Sequence, residues 1–250
     1  MTHSLIALLA RPPTDSLWQI CATTQRCRPL PPLALQLALL PNLRHLSINA
    51  AYSFASLAAL SRLTALSLLA TIYPPPPASL AALTALRHLR VMFGVQQLNS
   101  ELPALQGLTC LAVKGGIPAA VGSLHNLQLL SLWHKQTDQP VALPHPHSLR
   151  SLRSLGIDWR TVAASVPALA AMPALEKLWM SDAPDEDSVP AEQWAAFWAW
   201  AARHPPLRRL CLDSMSLPAV QSCPYIVCEH CLRLQRSRPA MAVHLGSQNC

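Results

Sequence analysis

Apolar positions along this chain recur in one figure, apolar-x-x-Leu-x-x-Leu-x-apolar, first as Leu40, Leu43, Leu46 and Ile48. It returns at Leu60, Leu63, Leu66, Leu68 and at Leu83, Leu86, Leu89, Val91. Leu105, Leu108, Leu111, Val113 and Leu124, Leu127, Leu130, Leu132 follow. Later copies are Leu149, Leu152, Leu155, Ile157, then Met172, Leu175, Leu178, Met180, and a worn His204, Leu207, Leu210, Leu212. Their starts step by 20, 23, 22, 19, 25, 23 and 32 residues. The closing Leu-x-apolar pair has a period of two, so it predicts a short strand with one buried face. The leucines three apart before it tuck the incoming turn beneath that strand. One such unit cannot bury its own leucines, but stacked copies share a continuous core. Strands recurring in one orientation, each with a return segment between, predict a parallel sheet.

The figure resembles the leucine-rich repeat family. The stretch Gly116-Ile117-Pro118-Ala119-Ala120-Val121-Gly122-Ser123-Leu124-His125-Asn126-Leu127 is similar to the plant-type repeat, in which an Ile-Pro pair starts the return segment. Pro77, Pro103 and Pro167 echo that proline. The resemblance covers about residues 40 to 215 and implies an α/β fold, a leucine-rich-repeat solenoid. Its curved parallel sheet would lie on the concave side, with short helices, 3-10 turns and loops on the convex side. The family usually places Asn or Cys three residues after the last strand apolar position. Here that column reads Ala51, Thr71, Gly94, Gly116, Lys135, Arg160, Ala183, Met215. Without an asparagine ladder the turn amides must find other partners or water.

Solenoid ends need caps. Residues 1–39 are expected to supply the first as a degenerate repeat, with Leu17, Ile20 and Thr23 standing 23 residues ahead of Leu40, Leu43 and Leu46. Residues 40–215 form the solenoid of about eight repeats. Residues 216–250 form a C-terminal cap and a Cys- and Arg-containing tail, expected to be partly disordered. The longest insertion opens with Asp182, Asp185, Glu186 and Asp187, then the helix-start signals Ser188 and Pro190. Trp194, Phe197, Trp198 and Ala201 follow at helical spacing and predict one amphipathic helix, with Trp200 off its stripe.

Composition sharpens this picture. There are 46 Leu and 37 Ala among 250 residues, with 24 Pro, which disfavour long uninterrupted helices. A chain 51% hydrophobic and 12% charged is not intrinsically disordered. No apolar run reaches the roughly 18 to 20 residues of a membrane helix. The start of the chain makes a poor signal peptide, since no positive charge precedes the six-residue run Leu5 to Ala10. The eight cysteines form no regular framework. Together these predict a reduced, cytoplasmic setting, with cytoskeleton-associated or nuclear alternatives. The net charge of +7 thickens near the C-terminus, at Arg203, Arg208, Arg209, Arg233, Arg236 and Arg238. That basic portion suggests an alternative role on nucleic acid or an acidic surface.

The repeat register assigns faces. Residues beside the strand leucines are expected on the concave side, and two groups stand out. Trp133, His134, Asp158, Trp159, Trp179 and Asp182 form an aromatic and acidic cluster, with Arg90, Met92, Phe93 and Lys114 as a basic flank. Tryptophan beside charge is the composition of interface hot spots, so these residues are the expected partner-binding set. His88 and Cys110 share a column on adjacent copies, the minimal arrangement for an activated thiol, but no third orienting group is evident. Cys223, Cys228 and Cys231 are candidate zinc ligands, but a structural site needs a second close pair. The chain is therefore expected to be a non-enzymatic monomer without cofactor, binding an unknown protein or peptide, with nucleic acid disfavoured.

Overall fold

The computed structural model describes residues 21–23, 42–49, 57–68, 80–92, 98–133, 143–181, 191–213 and 232–245. The chain divides into two compact units, Met1–Leu127 and Gln128–Cys250.

In the first unit, strands β1 (Cys21–Thr23), β2 (His45–Asn49), β3 (Ala65–Leu68), β4 (His88–Val91) and β5 (Cys110–Lys114) pair in parallel, each with the next. Leu46, Leu66, Leu89 and Leu111 stand in register and are at most 2% exposed. The predicted repeat register therefore holds across β2 to β5. From β3 to β5 each rung is tied to the last by one carbonyl that accepts two amides. Arg44 takes Thr64 and Ala65 at 2.8 and 2.9 Å, and Arg87 takes Thr109 and Cys110 at the same distances.

The return segments are 3-10 turns, Leu57–Ala59, Leu80–Ala82, Leu102–Ala104 and Ala119–Ser123. Three residues per turn brings positions three apart onto one face. Leu57 with Leu60, Leu80 with Leu83, Leu102 with Leu105, and Val121 with Leu124 are thus all buried together. The apolar figure extends one step further upstream than the sequence reading placed it.

The turn amides do find partners other than an asparagine ladder. Glu101, 6% exposed, accepts the Ala81 N–H on Oε2 at 2.8 Å, and Asn99 Oδ1 accepts that of Ala120 at 3.2 Å. Each side chain reaches one repeat back or forward, so it satisfies a half-buried donor and fastens two rungs at once.

The register of β1 differs from expectation. Cys21 pairs with Ser47 and Thr23 with Asn49, an offset of 26 residues (47 minus 21) rather than 23. A figure of period three fits equally well when slipped by three, and only backbone pairing resolves it.

The second unit continues the same plan with β6 (Leu129–Trp133), β7 (Ser154–Asp158), β8 (Lys177–Ser181), β9 (Arg209–Asp213) and β10 (Ala242–Leu245), again parallel neighbours. Its return segments are heavier: a 3-10 turn at Pro146–Ser148, α1 (Trp159–Ala164), α2 (Val166–Ala170), α3 (Ala191–Arg203) and α4 (232–237). Phe197 and Ala201 of α3 are fully buried, as its apolar stripe predicts. Trp200 corrects that prediction. It is buried too, 5.8 Å from Phe197 and 5.1 Å from His204 between ring centroids. A helix covered on more than one side buries more than its stripe.

Residues 232–245 lie in the stretch expected to hold a C-terminal cap and a partly disordered tail. Helix α4 and strand β10 form a tenth rung, with Val243 opposite Leu210. Arg238 fastens it, donating from Nη1 to the carbonyls of Ala201 (2.8 Å) and His204 (2.7 Å), and from Nη2 to those of Pro205 (3.0 Å) and Leu207 (2.6 Å). A cation over the last carbonyls of α3 also opposes its dipole.

Candidate functional site

Strand alternation gives each unit one face filled by leucine and one open row of side chains. In the first unit the open rows of β2 to β5 run His45, Ala65, His88, Cys110 and Ser47, Ser67, Arg90, Ala112. Met92 and Lys114 close this face and are half-buried. His88 and Cys110 are register partners, as the sequence spacing predicts. Burial pushes the Cys110 thiol above its ordinary range. Nucleophilic use needs the thiolate, so the shift runs against an activated cysteine here.

In the second unit one row, Leu129, Ser154, Lys177, Arg209 and Ala242, is half-buried to exposed, while in the next, Ser131, Gly156, Trp179 and Cys211, all but Trp179 are buried. Trp179 is half-buried, and Lys177 Nζ stands 4.3 Å from its ring centroid, a cation–π contact. Gly156 makes room beside the ring. A Cβ there would lie 3.4 Å from Trp179 Cε3 and 3.1 Å from Ser131 Oγ. Cys211, on the strand next to Trp179, is only 1% exposed.

Of the predicted aromatic and acidic cluster, Asp158, Trp159 and Trp179 are described, and Trp159 does not share the open face with Trp179. Asp158 ends β7 and caps α1, accepting the Thr161 N–H on Oδ1 at 2.9 Å and its hydroxyl on Oδ2 at 2.6 Å. Trp159 is 2% exposed and stacks on Trp194 at 4.7 Å and 12°. It corrects the expectation that Trp159 faces a partner. The chain leaves the strand at Asp158, so the next side chain turns into the return layer. Trp194 also stacks with Trp198 at 5.9 Å, and this aromatic cluster holds α3 against α1.

Of the other expected partner-binding residues, Arg90, Met92, Lys114 and Trp179 lie on the open faces. Trp133 ends β6, its side chain outside the described residues, as are His134, Asp182 and Phe93. Cys223, Cys228 and Cys231 also lie outside them. Among the described residues no group of three His, Cys, Asp or Glu is placed to hold a metal ion. Among the same residues no helix is long and apolar enough to cross a membrane. Sequence reasoning passed over Lys177 and Arg209 as a pair, although they share a predicted column.

No curated protein is significantly similar in sequence. Among solved structures, an internalin C2 from Listeria monocytogenes is 18% identical with a TM-score of 0.49, matching 78% of this chain and 80% of its own. A leucine-rich-repeat protein from Leptospira interrogans is 16% identical with a TM-score of 0.48, covering 84% of this chain and 56% of its own. An internalin F from Listeria monocytogenes is 15% identical with a TM-score of 0.38, covering 64% and 54%. The sequence itself matches the family described as "Leucine-rich repeat region" over residues 42–236. With its leucines in register on one side of parallel strands, this chain belongs to the leucine-rich repeat family.

Proposed function

We propose that this protein is a non-catalytic interaction scaffold whose partner, a protein or peptide, docks on the open sheet face. The observation that carries the proposal is Trp179. It stands half-buried among Ser154, Gly156, Lys177 and Arg209, with Leu129 on the strand beyond and Lys177 against its ring. Parallel strands hold such side chains in fixed places, so binding loses little scaffold entropy. The raised pKa of the Cys110 thiol and the capping role of Asp158 support a surface that binds rather than reacts.

Binding of nucleic acid by the Arg-rich C-terminal part is less well supported. Arg238 is engaged with four backbone carbonyls and adds no open charge.

Site-specific photocrosslinking in native extract tests the proposal. A photoreactive residue at Ser154 or Ser67, both on the open faces, should capture a discrete partner. One at Glu192, exposed on α3, should not. Capture from Glu192 with silence at both serines would overturn the docking face.

A further inference from the structure

The C-terminal rung is fastened beside a buried, titratable ring. His204 directly follows α3 and is 9% exposed, its ring tilted against that of Trp200 at 5.1 Å between centroids. One ring nitrogen is hydrogen-bonded to the Leu175 backbone. The Leu175 N–H already donates to Met172, so the Leu175 carbonyl is the acceptor and the imidazole the donor. The other nitrogen, Nε2, is buried with no hydrogen-bond partner. A neutral imidazole leaves only a lone pair there. A second proton would set a charged N–H in a buried place without an acceptor, which is far more costly.

Arg238 adds to that cost. Its guanidinium spans the carbonyls of Ala201, His204, Pro205 and Leu207, so the cation that fastens the tail and the imidazole share one turn of backbone. Other charges on the surrounding elements are engaged or solvated. Glu176, next to Leu175, meets Arg153 at 3.4 Å, and Arg203, Arg208, Arg233 and Arg236 are exposed. Among the described residues, Arg238 is the charged group whose field acts on His204, in the same direction as burial.

We infer that residues 232–245 form an acid-released cap: protonation of His204 expels Arg238 from its carbonyls and unpairs β10 from β9, while the rungs before it stay folded. Release removes the neighbouring cation and opens the end of α3 to water, so the protonated ring is better accommodated in the open state. The last rung can open alone because repeat rungs depend mainly on their nearest neighbours. Opening leaves an unpaired edge on β9 and uncovers the layer where Val243 and Leu245 stand opposite Leu210 and Leu212. This cap belongs to the end of the second unit and does not depend on what docks on the open face.

Hydrogen exchange of the full chain, read by mass spectrometry from about pH 7.5 to about pH 5.5 and corrected for intrinsic exchange chemistry, tests the cap. The opening constant of amides in 232–245 should rise at least about threefold. One proton limits the rise to about tenfold per pH unit below about pH 6.5. Amides of β7 and β8 should change less than about twofold over the same range. His204→Gln and His204→Phe both remove the titrating group, and in each the rise in 232–245 should vanish. Should one of these variants fail to fold by circular dichroism, the other carries the comparison.

An equal rise in β7 and β8 would make the response global and overturn the cap. So would a rise in 232–245 that survives the substitutions at His204, or the lack of any rise in wild type.

Discussion

Asp158 and Trp159 are neighbours in the chain and serve opposite faces of it. Asp158 closes a strand and caps a helix through Thr161, and Trp159 drops into the return layer against Trp194. A column count from the strand leucines treats both as open-face residues, because it assumes that the strand continues. Substituting Asp158 is therefore a stability experiment. Asp158→Ala should lower the urea-derived unfolding free energy by about 1 kcal/mol, the usual cost of a lost N-cap. The loss should appear without change at Lys177 or Trp179, whose contacts do not involve the cap. A cap of this kind was legible in principle, since Asp is a preferred N-cap residue, but the repeat figure masked it.

At the scale of elements, the first unit is closed by 3-10 turns and the second mainly by α-helices, and the residues explain the difference. Turns such as Leu80–Ala82 need only one apolar residue every third position to lie flat under the sheet. The longer spacing before β9 instead admits the thirteen-residue α3, whose aromatic residues fill the added layer. That layer ends at Arg238, which collects four carbonyls from the end of α3 and the turn beyond it. Hydrogen bonds from a charged donor contribute more than neutral ones, though part of this set is exposed. Arg238→Ala should lower the protection of amides in 232–245 by about 2 to 3 kcal/mol in native-state hydrogen exchange. Amides of β7 and β8 should change far less, because repeat rungs depend mainly on their nearest neighbours. Nothing in the sequence around Arg238 marks it among the basic residues of the tail. Its partners stand 31 to 37 positions earlier in the chain.

For the molecule as a whole, the response to acid should pass through His204. Burial lowers its pKa below the ordinary 6.5 and the Arg238 charge adds to that, while a backbone hydrogen bond involving Leu175 opposes both. The unfolded chain then takes up this proton more readily than the folded one, so stability rises with pH across the interval between the two values. The contribution is complete above about pH 6.5 and fades as pH falls toward the lower, folded-state value. Urea midpoints followed down from neutral pH should fall more steeply for wild type than for His204→Gln. Parallel curves would remove His204 from the acid response. The repeat, the parallel strands and most of their register follow from the order of residues alone, because a leucine every third position followed by an alternating pair has one economical burial. Tertiary structure decided the rest: the slip of three at β1, the burial of Trp159 and Trp200, the clasp of Arg238, and the meeting of Lys177 with Arg209 against a tryptophan. Periodicity says which side chains leave water. Which neighbours they then meet is set by backbone pairing and by return segments whose lengths vary, so contacts between residues far apart in the chain are fixed only when the rungs stack.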